Sequence, residues 1–210
     1  MRVLWKFRSL RAMILANTFY AASNYGINAF APAFLMRVHH LSSTRTGLLM
    51  GVVYAVGGII GTLGGGILAD RMARRDEAWL LRIPALGQLL SVPAALAAWL
   101  VVDVELSAVF MTLAYMFGLL AFAPSFAAAQ ALVQDDMRAT TSAVMLFFMT
   151  LIGASLGPLV VGWISDAIVV SQGALSLRYA LSAMTVAATL SAILFYIASR
   201  PFSAELPRRA

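Results

Sequence analysis

The sequence predicts an all-α membrane protein: six transmembrane helices, built as two three-helix repeats of opposite orientation. Three observations predict it. The chain is 61% hydrophobic and 11% charged over 210 residues, whereas a soluble domain carries about 25% charged residues. Its apolar residues fall in blocks of roughly 20, the length a helix needs to cross a hydrocarbon core. And a shift of 96 residues brings two of those blocks into register.

The blocks, in order, are A (about 12–36), B (46–69), C (80–102), D (106–133), E (140–165) and F (179–199). None shows the ten-residue alternation of a membrane strand, so all read as helices. Span A begins after a basic stretch and contains "AFA" at 29–31, like a signal peptide. Its length and its Asn17, Asn24 and Asn28 argue for a retained helix instead. The organisation expected is an amino-terminal segment (1–11), a six-helix bundle (12–199, repeats about 12–102 and 106–199) and a tail (200–210).

Orientation follows from the basic residues. Twelve fall on one side: Arg2, Lys6, Arg8 and Arg11 before A, then Arg71, Arg74, Arg75 and Arg82 between B and C, Arg138 between D and E, and Arg200, Arg208 and Arg209 after F. Only Arg37, Arg45 and Arg178 fall on the other. Both termini are therefore expected in the cytoplasm, with the chain in the inner or plasma membrane. The net charge of +6 belongs to those loops and calls for no nucleic acid.

Under the 96-residue shift Gly57, Gly61, Leu63, Gly66 and Asp70 meet Gly153, Gly157, Leu159, Gly162 and Asp166. Arg82 meets Arg178, with the acid-to-arginine spacing preserved. Three spans per repeat turn the second copy over, so Asp70 and Asp166 fall at opposite faces. Inverted repeats of this kind mark transporters. Glycines four apart, as in Gly57, Gly61 and Gly65 and in Gly153 and Gly157 before Pro158, let helices meet backbone to backbone. They suit static packing or a surface on which B and E slide against a partner.

"GGGILADRMARRD" (64–76) ends span B in an acid and arginines. An acid at a helix carboxyl end opposes the macrodipole. Asp70 is thus expected to find a partner, Arg74 one turn on or the amino end of a neighbouring helix. The segment Gly66, Asp70, Arg71, Arg74 and Arg75 reads as a latch that forms in one conformation and breaks in another. The plain alternative is a basic loop obeying the inside rule. Asp166 and Arg178 form the corresponding outer-face pair.

In span A, Asn17, Tyr20, Asn24 and Asn28 share one helical face, with Tyr25 beside it. Polar groups are costly in lipid, so the stripe faces a cavity or forms a seam with another helix. No Asp, Glu, His or Lys lies mid-span, which leaves no ordinary proton-coupling site in this chain. The two histidines are adjacent, His39 and His40, and there is no cysteine. No metal site or cofactor is expected. "GASLG" (153–157) fits a serine-nucleophile pattern, but His39 and His40 lie far away in a loop, out of reach of Ser155. Asp135-Asp136 lacks the further spaced acids of a phosphotransferase. No enzyme is expected.

"GILADRMARR" (66–75) resembles the loop signature of the major facilitator superfamily, with Ala73 where that signature usually has glycine. "PAFLMRVH" (32–39), "GPLVVGWISD" (157–166) and "SLRYAL" (176–181) are similar to its spinster-like branch. The resemblance covers about 12–199 and corresponds to the carboxyl-terminal six-helix half of a twelve-helix transporter. It implies that A and D line the transport path, which brings in Tyr115, Phe122, Ser125 and Gln130 of span D, with Pro124 as a kink. It implies alternating access for a small organic or amphiphilic, lipid-like solute. It also implies a second six-helix half: an amino-terminal portion, a separate subunit or another copy. A substrate-binding subunit of a vitamin importer and a non-transporting helical scaffold are the alternatives; the repeat and the arginine loop weigh against the first.

Overall fold

Lipid offers the backbone no hydrogen bonds, so these apolar blocks can persist only as helices. The computed structural model describes residues 6–206, and among them the regular structure is helical. Arg2, Arg208 and Arg209 of the charge asymmetry lie outside the described residues. The elements are α1 (Arg8–Val38), α2 (Ser43–Ala73), α3 (Trp79–Leu100), α4 (Val104–Leu119), α5 (Phe122–Ala131), α6 (Arg138–Phe148), α7 (Ala154–Gln172) and α8 (Ser176–Glu205). Four helical stretches are long and apolar enough to cross a membrane: Ser43–Ala73, Trp79–Leu100, Val104–Ala131 and Asp135–Glu205. α1 has 31 residues, about 46 Å at 1.5 Å each, and carries the asparagine stripe.

Two helices are interrupted, each beside a proline. Span D breaks at Leu120–Ala121. Pro124 lacks the N–H that would bond the Leu120 carbonyl, so the break falls one turn before the proline. Leu120 and Ala121 donate back to Phe117 and Gly118 instead (3.2 and 3.3 Å), a tighter turn. In span E a π-turn, Met149–Gly153, separates α6 from α7 on the amino side of Pro158. The last helix continues through Pro201 to Glu205, past the expected end at Arg200. There its carboxylate accepts from the backbone N–H groups of Arg8 and Ser9 (2.9 and 3.0 Å). α1 has no cap of its own, so the end of the last helix caps the first, with negative charge at the positive pole of the dipole.

α1 packs against α8 and against α7 with its π-turn, while α4 packs against α3 and α2; α3 and α8 meet face to face. Serine hydroxyls fasten α1 to α8 by donating to main-chain carbonyls: Ser9 to Ala198 (3.0 Å), Ser23 to Met184 (3.2 Å) and Ser191 to Ala16 (2.8 Å). Two apolar clusters hold the ends. One gathers Leu10, Met13, Leu132, Met145, Phe195 and Phe202; the other gathers Phe34, Leu35, Trp99, Leu181 and Met184.

The glycines account for the closest approaches. A Cβ on Gly57 would stand 3.0 Å from the Thr112 carbonyl, and one on Gly65 would stand 2.6 Å from that of Leu120. Gly61 is pressed on the Met116 carbonyl in the same way. Gly157 is pressed on the Ala22 carbonyl, where a Cβ would also stand 2.9 Å from the Gly26 nitrogen, and Gly153 meets Ala21. These ridges are turned inward, α2 onto α4 and α7 onto α1, so they are not the surfaces on which α2 or α7 would slide against a partner. Gly66 has open space, and Gly162 has only the Phe30 ring at an ordinary 3.6 Å; neither is required by packing.

Adjacent residues supply a matched test. Gly65→Ala is expected to destabilise the protein by about 1–3 kcal/mol, because the new methyl meets backbone that cannot move aside. Gly66→Ala is expected to be neutral or to stabilise by about 0.5–1 kcal/mol. Thermal unfolding of both in mild detergent checks this, and equal midpoints would refute the packing argument.

Candidate functional site

The asparagine-tyrosine stripe of α1 divides in the structure. Tyr20, Asn24 and Asn28 line a slot of about 60 Å³ among α1, α2, α3, α4 and α8. Asn17 does not line it: buried completely, it donates to the Met13 carbonyl (3.0 Å) and accepts from the Ser125 hydroxyl (3.2 Å). Asn17 and Ser125 are a seam between helices, the alternative weighed for that stripe. Gln130 is likewise engaged, donating to the Ser142 hydroxyl at 3.0 Å.

A wider groove of about 390 Å³ runs beside the slot, lined by Tyr20, Asn24, Tyr25, Tyr115, Phe122 and Met149. Tyr20, Asn24 and Tyr115 line both spaces and so form the partition between them. Tyr25 and Phe122 face the open side of the groove, 44% and 38% exposed. Two kinds of lining residue escaped the sequence argument. Tyr54 sits ring to ring with Tyr115 (5.0 Å between centroids). Gln88 reaches across from α3 to donate to the Gly118 carbonyl at 2.9 Å. A lone amide in the middle of an apolar span was the signal for Gln88. Tyr54 gave none, since a single tyrosine in a glycine-rich helix reads equally as packing.

The latch segment stands at the mouth of a cleft of about 1050 Å³ at the basic end, where Asp70, Arg74 and Arg75 face Gln134, Asp135 and Arg138. Asp70 and Arg74 are both exposed. Among the described residues the ion pairs are Arg82–Asp76 (2.9 Å) and Arg138–Asp135 (2.9 Å), so the expected Asp70–Arg74 pair is not made. Both groups are exposed at the cleft mouth, and the loop is secured by Asp76 instead. Asp76 also accepts from the Ala78 backbone N–H (3.0 Å) and the Ser203 hydroxyl (3.4 Å).

The outer-face pair is likewise unformed. α7 runs on to Gln172, which leaves Asp166 exposed well inside the helix. Arg178 turns away and donates to the Leu100 carbonyl at 3.3 Å, at the negative end of α3. The same end holds His39, edge-on to Phe34 at 5.1 Å. Its Nε2 is buried without a partner, as are Trp99 Nε1 and Arg178 Nε. No cluster of three or more metal-binding side chains occurs among the described residues.

A helical bundle with spanning-length apolar stretches and an exposed apolar surface defines a multi-pass membrane protein. Comparison with known proteins gives the family. A profile of the Major Facilitator Superfamily matches residues 1–158. The chain is 38% identical over 203 residues to an MFS-type efflux pump of Mycolicibacterium smegmatis, covering 96% of this chain and 47% of that protein. It is similar to solved structures of a bacterial homologue of the human lysosomal transporter Spinster in two inward-facing conformations. The occupied one gives a TM-score of 0.87 at 26% identity, covering 96% of this chain and 51% of that one. The unoccupied one gives 0.89 at 26% identity, covering 100% and 51%. The chain belongs to the Major Facilitator Superfamily, with spinster-like structural neighbours, and is a transporter-family protein, not an enzyme. It spans about half the length of the relatives it matches.

His39 supplies a pH prediction. Burial and then the Arg178 guanidinium lower its pKa from 6.5, His40 adds to the lowering, and Asp103 and the Val102 backbone oppose it. The fold therefore holds His39 neutral, while the unfolded chain takes up a proton near 6.5. Stability should fall as pH drops through 6.5 and level off only below the lowered folded value. Melting temperature measured across that range in detergent should show the decline, and His39→Gln should flatten it.

Proposed function

We propose that this chain is one half of a secondary active transporter that moves a small organic or amphiphilic solute by alternating access. The half crosses the membrane six times as two inverted three-helix repeats, and it works only with a second six-helix half. One observation carries the reading: the packing scheme survives exchange of the repeats. Replace α1 by α4–α5, α2 by α6–α7 and α3 by α8, and each principal contact maps onto another. The α2–α4 contact becomes the α7–α1 contact, and both are backbone-close at glycines. The α3–α4 contact becomes α8–α1, and α3–α8 maps onto itself, as a contact on a two-fold axis must.

The half length is supported by coverage of 47–51% of the relatives. Two six-helix halves rocking about a shared path are the mechanism this architecture allows. The path would be the groove at Tyr20, Asn24, Tyr25, Tyr115 and Phe122. The basic cleft would lie in the cytoplasm, as the arginine distribution supports, with the protein in the cell membrane. There Asp70, Arg71, Arg74 and Arg75 would be a latch in its open state, poised to meet the second half or the Asp135–Arg138 turn when the cleft closes. Outward movement is the direction supported by the efflux-pump relative.

The absence of cysteine makes topology directly testable. Single cysteines replacing Arg75, Gln134 or Ala204 are expected to be shielded from a membrane-impermeant maleimide in intact cells, and those replacing Ser42, Val102 or Gln172 to be labelled. Any other pattern overturns the six-span scheme. Asp70→Asn is expected to reduce transport by the complete assembly at least about tenfold with normal insertion; unimpaired transport removes the latch. Reconstituted as a proven monomer, the chain is expected to translocate nothing, and uptake by that monomer would overturn the need for a second half.

A further inference from the structure

We propose that the slot inside this half is a side pocket of the transport path. It takes a slender, uncharged arm of the substrate bearing a hydrogen-bonding group, while any ionic end stays in the groove. This rests on the reading of the groove as a substrate path and names the class of substrate it selects.

The first observation is connectivity. The slot lies within one half, not between halves, yet it shares Tyr20, Asn24 and Tyr115 with the groove. An arm leaving the groove would pass between those side chains. The second is size. About 60 Å³ of free space is several times the roughly 10–15 Å³ that one water requires, so the slot can hold a small organic group and not a bulky one.

The third observation is chemistry. Ile27, Met50, Val53 and Met111 supply apolar wall, and methionine adapts its shape to what it meets. Polar capacity is left over. Asn28 donates to the Asn24 side-chain oxygen (2.8 Å), which leaves the Asn24 amide N–H groups and the Asn28 oxygen free. Gln88 spends its amide on Gly118, which leaves its oxygen free. The phenols of Tyr20, Tyr54 and Tyr115 stand around the same space with no hydrogen-bond partner among the described residues. Trp99 Nε1, also in the slot wall, is buried without a partner; a donor left so is a standing cost that an incoming acceptor removes.

The fourth is charge. Among the described residues, no Asp, Glu, Lys, Arg or His lines the slot. A carboxylate or ammonium entering it would lose its hydration and find no counter-charge. A carbonyl, ether or hydroxyl on an apolar stem would lose little hydration and gain the phenols. The slot therefore discriminates against ionic groups and in favour of neutral hydrogen-bonding ones.

The test uses the whole chain in phosphatidylcholine nanodiscs, labelled with 3-fluorotyrosine and followed by fluorine NMR. Its six tyrosines provide three reporters in the slot and, in the exposed Tyr179 and Tyr196, two controls; single Tyr→Phe variants assign them. Four chain-matched probes are titrated: 2-nonanone, nonane, ionised nonanoate and nonylammonium. The ketone is expected to shift Tyr20, Tyr54 and Tyr115 saturably and to leave the controls in place. The two ions are expected not to compete with it. Nonane is expected to bind at least about tenfold more weakly than the ketone. Ala188→Phe and Ala95→Leu, which fill the slot from α8 and α3, are each expected to weaken the ketone about tenfold or more; two sites guard against one variant failing to fold. Unsaturable shifts of every tyrosine, equal binding of an ion, or full-strength binding in both filled variants would overturn the proposal. The titration needs no transport. Loss of transport with saturable binding would count against the proposed function alone, and transport by a chain whose slot takes none of the probes would count against the slot alone.

Discussion

Backbone-to-backbone contact at a handful of glycines is the constraint on which this structure depends. Lipid tails are as apolar as leucine, so a helix gains little by exchanging one for the other. What favours association is dispersion between closely fitted surfaces, and that falls steeply with distance. The missing side chains at Gly57, Gly61 and Gly65 bring α2 onto α4, and those at Gly26, Gly153 and Gly157 bring α7 onto α1. With both pairs drawn together, α3 and α8 are left to meet each other, and serine hydroxyls can reach carbonyls across the α1–α8 contact.

Close packing at the flanks has a consequence in the middle. The large side chains collect in two clusters toward the ends of the bundle, and the stretch between them around Tyr20, Ala21 and Met149 is small. Helices held apart by aromatic groups above and below cannot also close at the centre. The groove is therefore what remains when the ends are well packed, and the slot reaches from it into the cluster around Trp99. Polar side chains persist there because they line open space or pair with one another, whereas Asn17 and Ser125, a turn or so away, are consumed in holding α1 to α5.

This explains how much of the protein was legible in its sequence. Helices and their rough limits followed from hydropathy because lipid leaves the backbone no alternative. The face formed by Tyr20, Asn24 and Asn28 followed from helical periodicity. Periodicity could not separate Asn17 from them, since a seam and a cavity wall demand the same polar residue at the same spacing. The pairs of Asp70 with Arg74 and of Asp166 with Arg178 are not made in this structure, because charge and spacing alone place each acid at the end of its helix. α2 continues three residues beyond Asp70, and α7 runs beyond Asp166, which leaves both carboxylates exposed. Glu205 was invisible for a different reason: its partners, Arg8 and Ser9, stand at the far end of the chain, and nothing local marks a cap supplied from that distance.

The helices differ in continuity in a way that bears on motion. α1 and α2 are unbroken over 31 residues each, whereas the helical stretches 104–131 and 138–172 are interrupted at Leu120–Ala121 and at Met149–Gly153. Both interruptions bound one unit, α5 with α6, which forms one wall of the basic cleft through Gln134, Asp135 and Arg138. Tight turns and π-turns trade the strongest backbone hydrogen bonds for weaker or shared ones, so bending concentrates where they lie. In the proposed cycle the wall that moves is therefore this hairpin, and the wall that stays is the end of α2 with Asp70, Arg74 and Arg75. The fixed wall is further braced by Asp76 through Arg82 and Ser203. The proposed latch would need one rigid jaw, and on this side of the cleft the side-chain bonds at Asp76 would provide it.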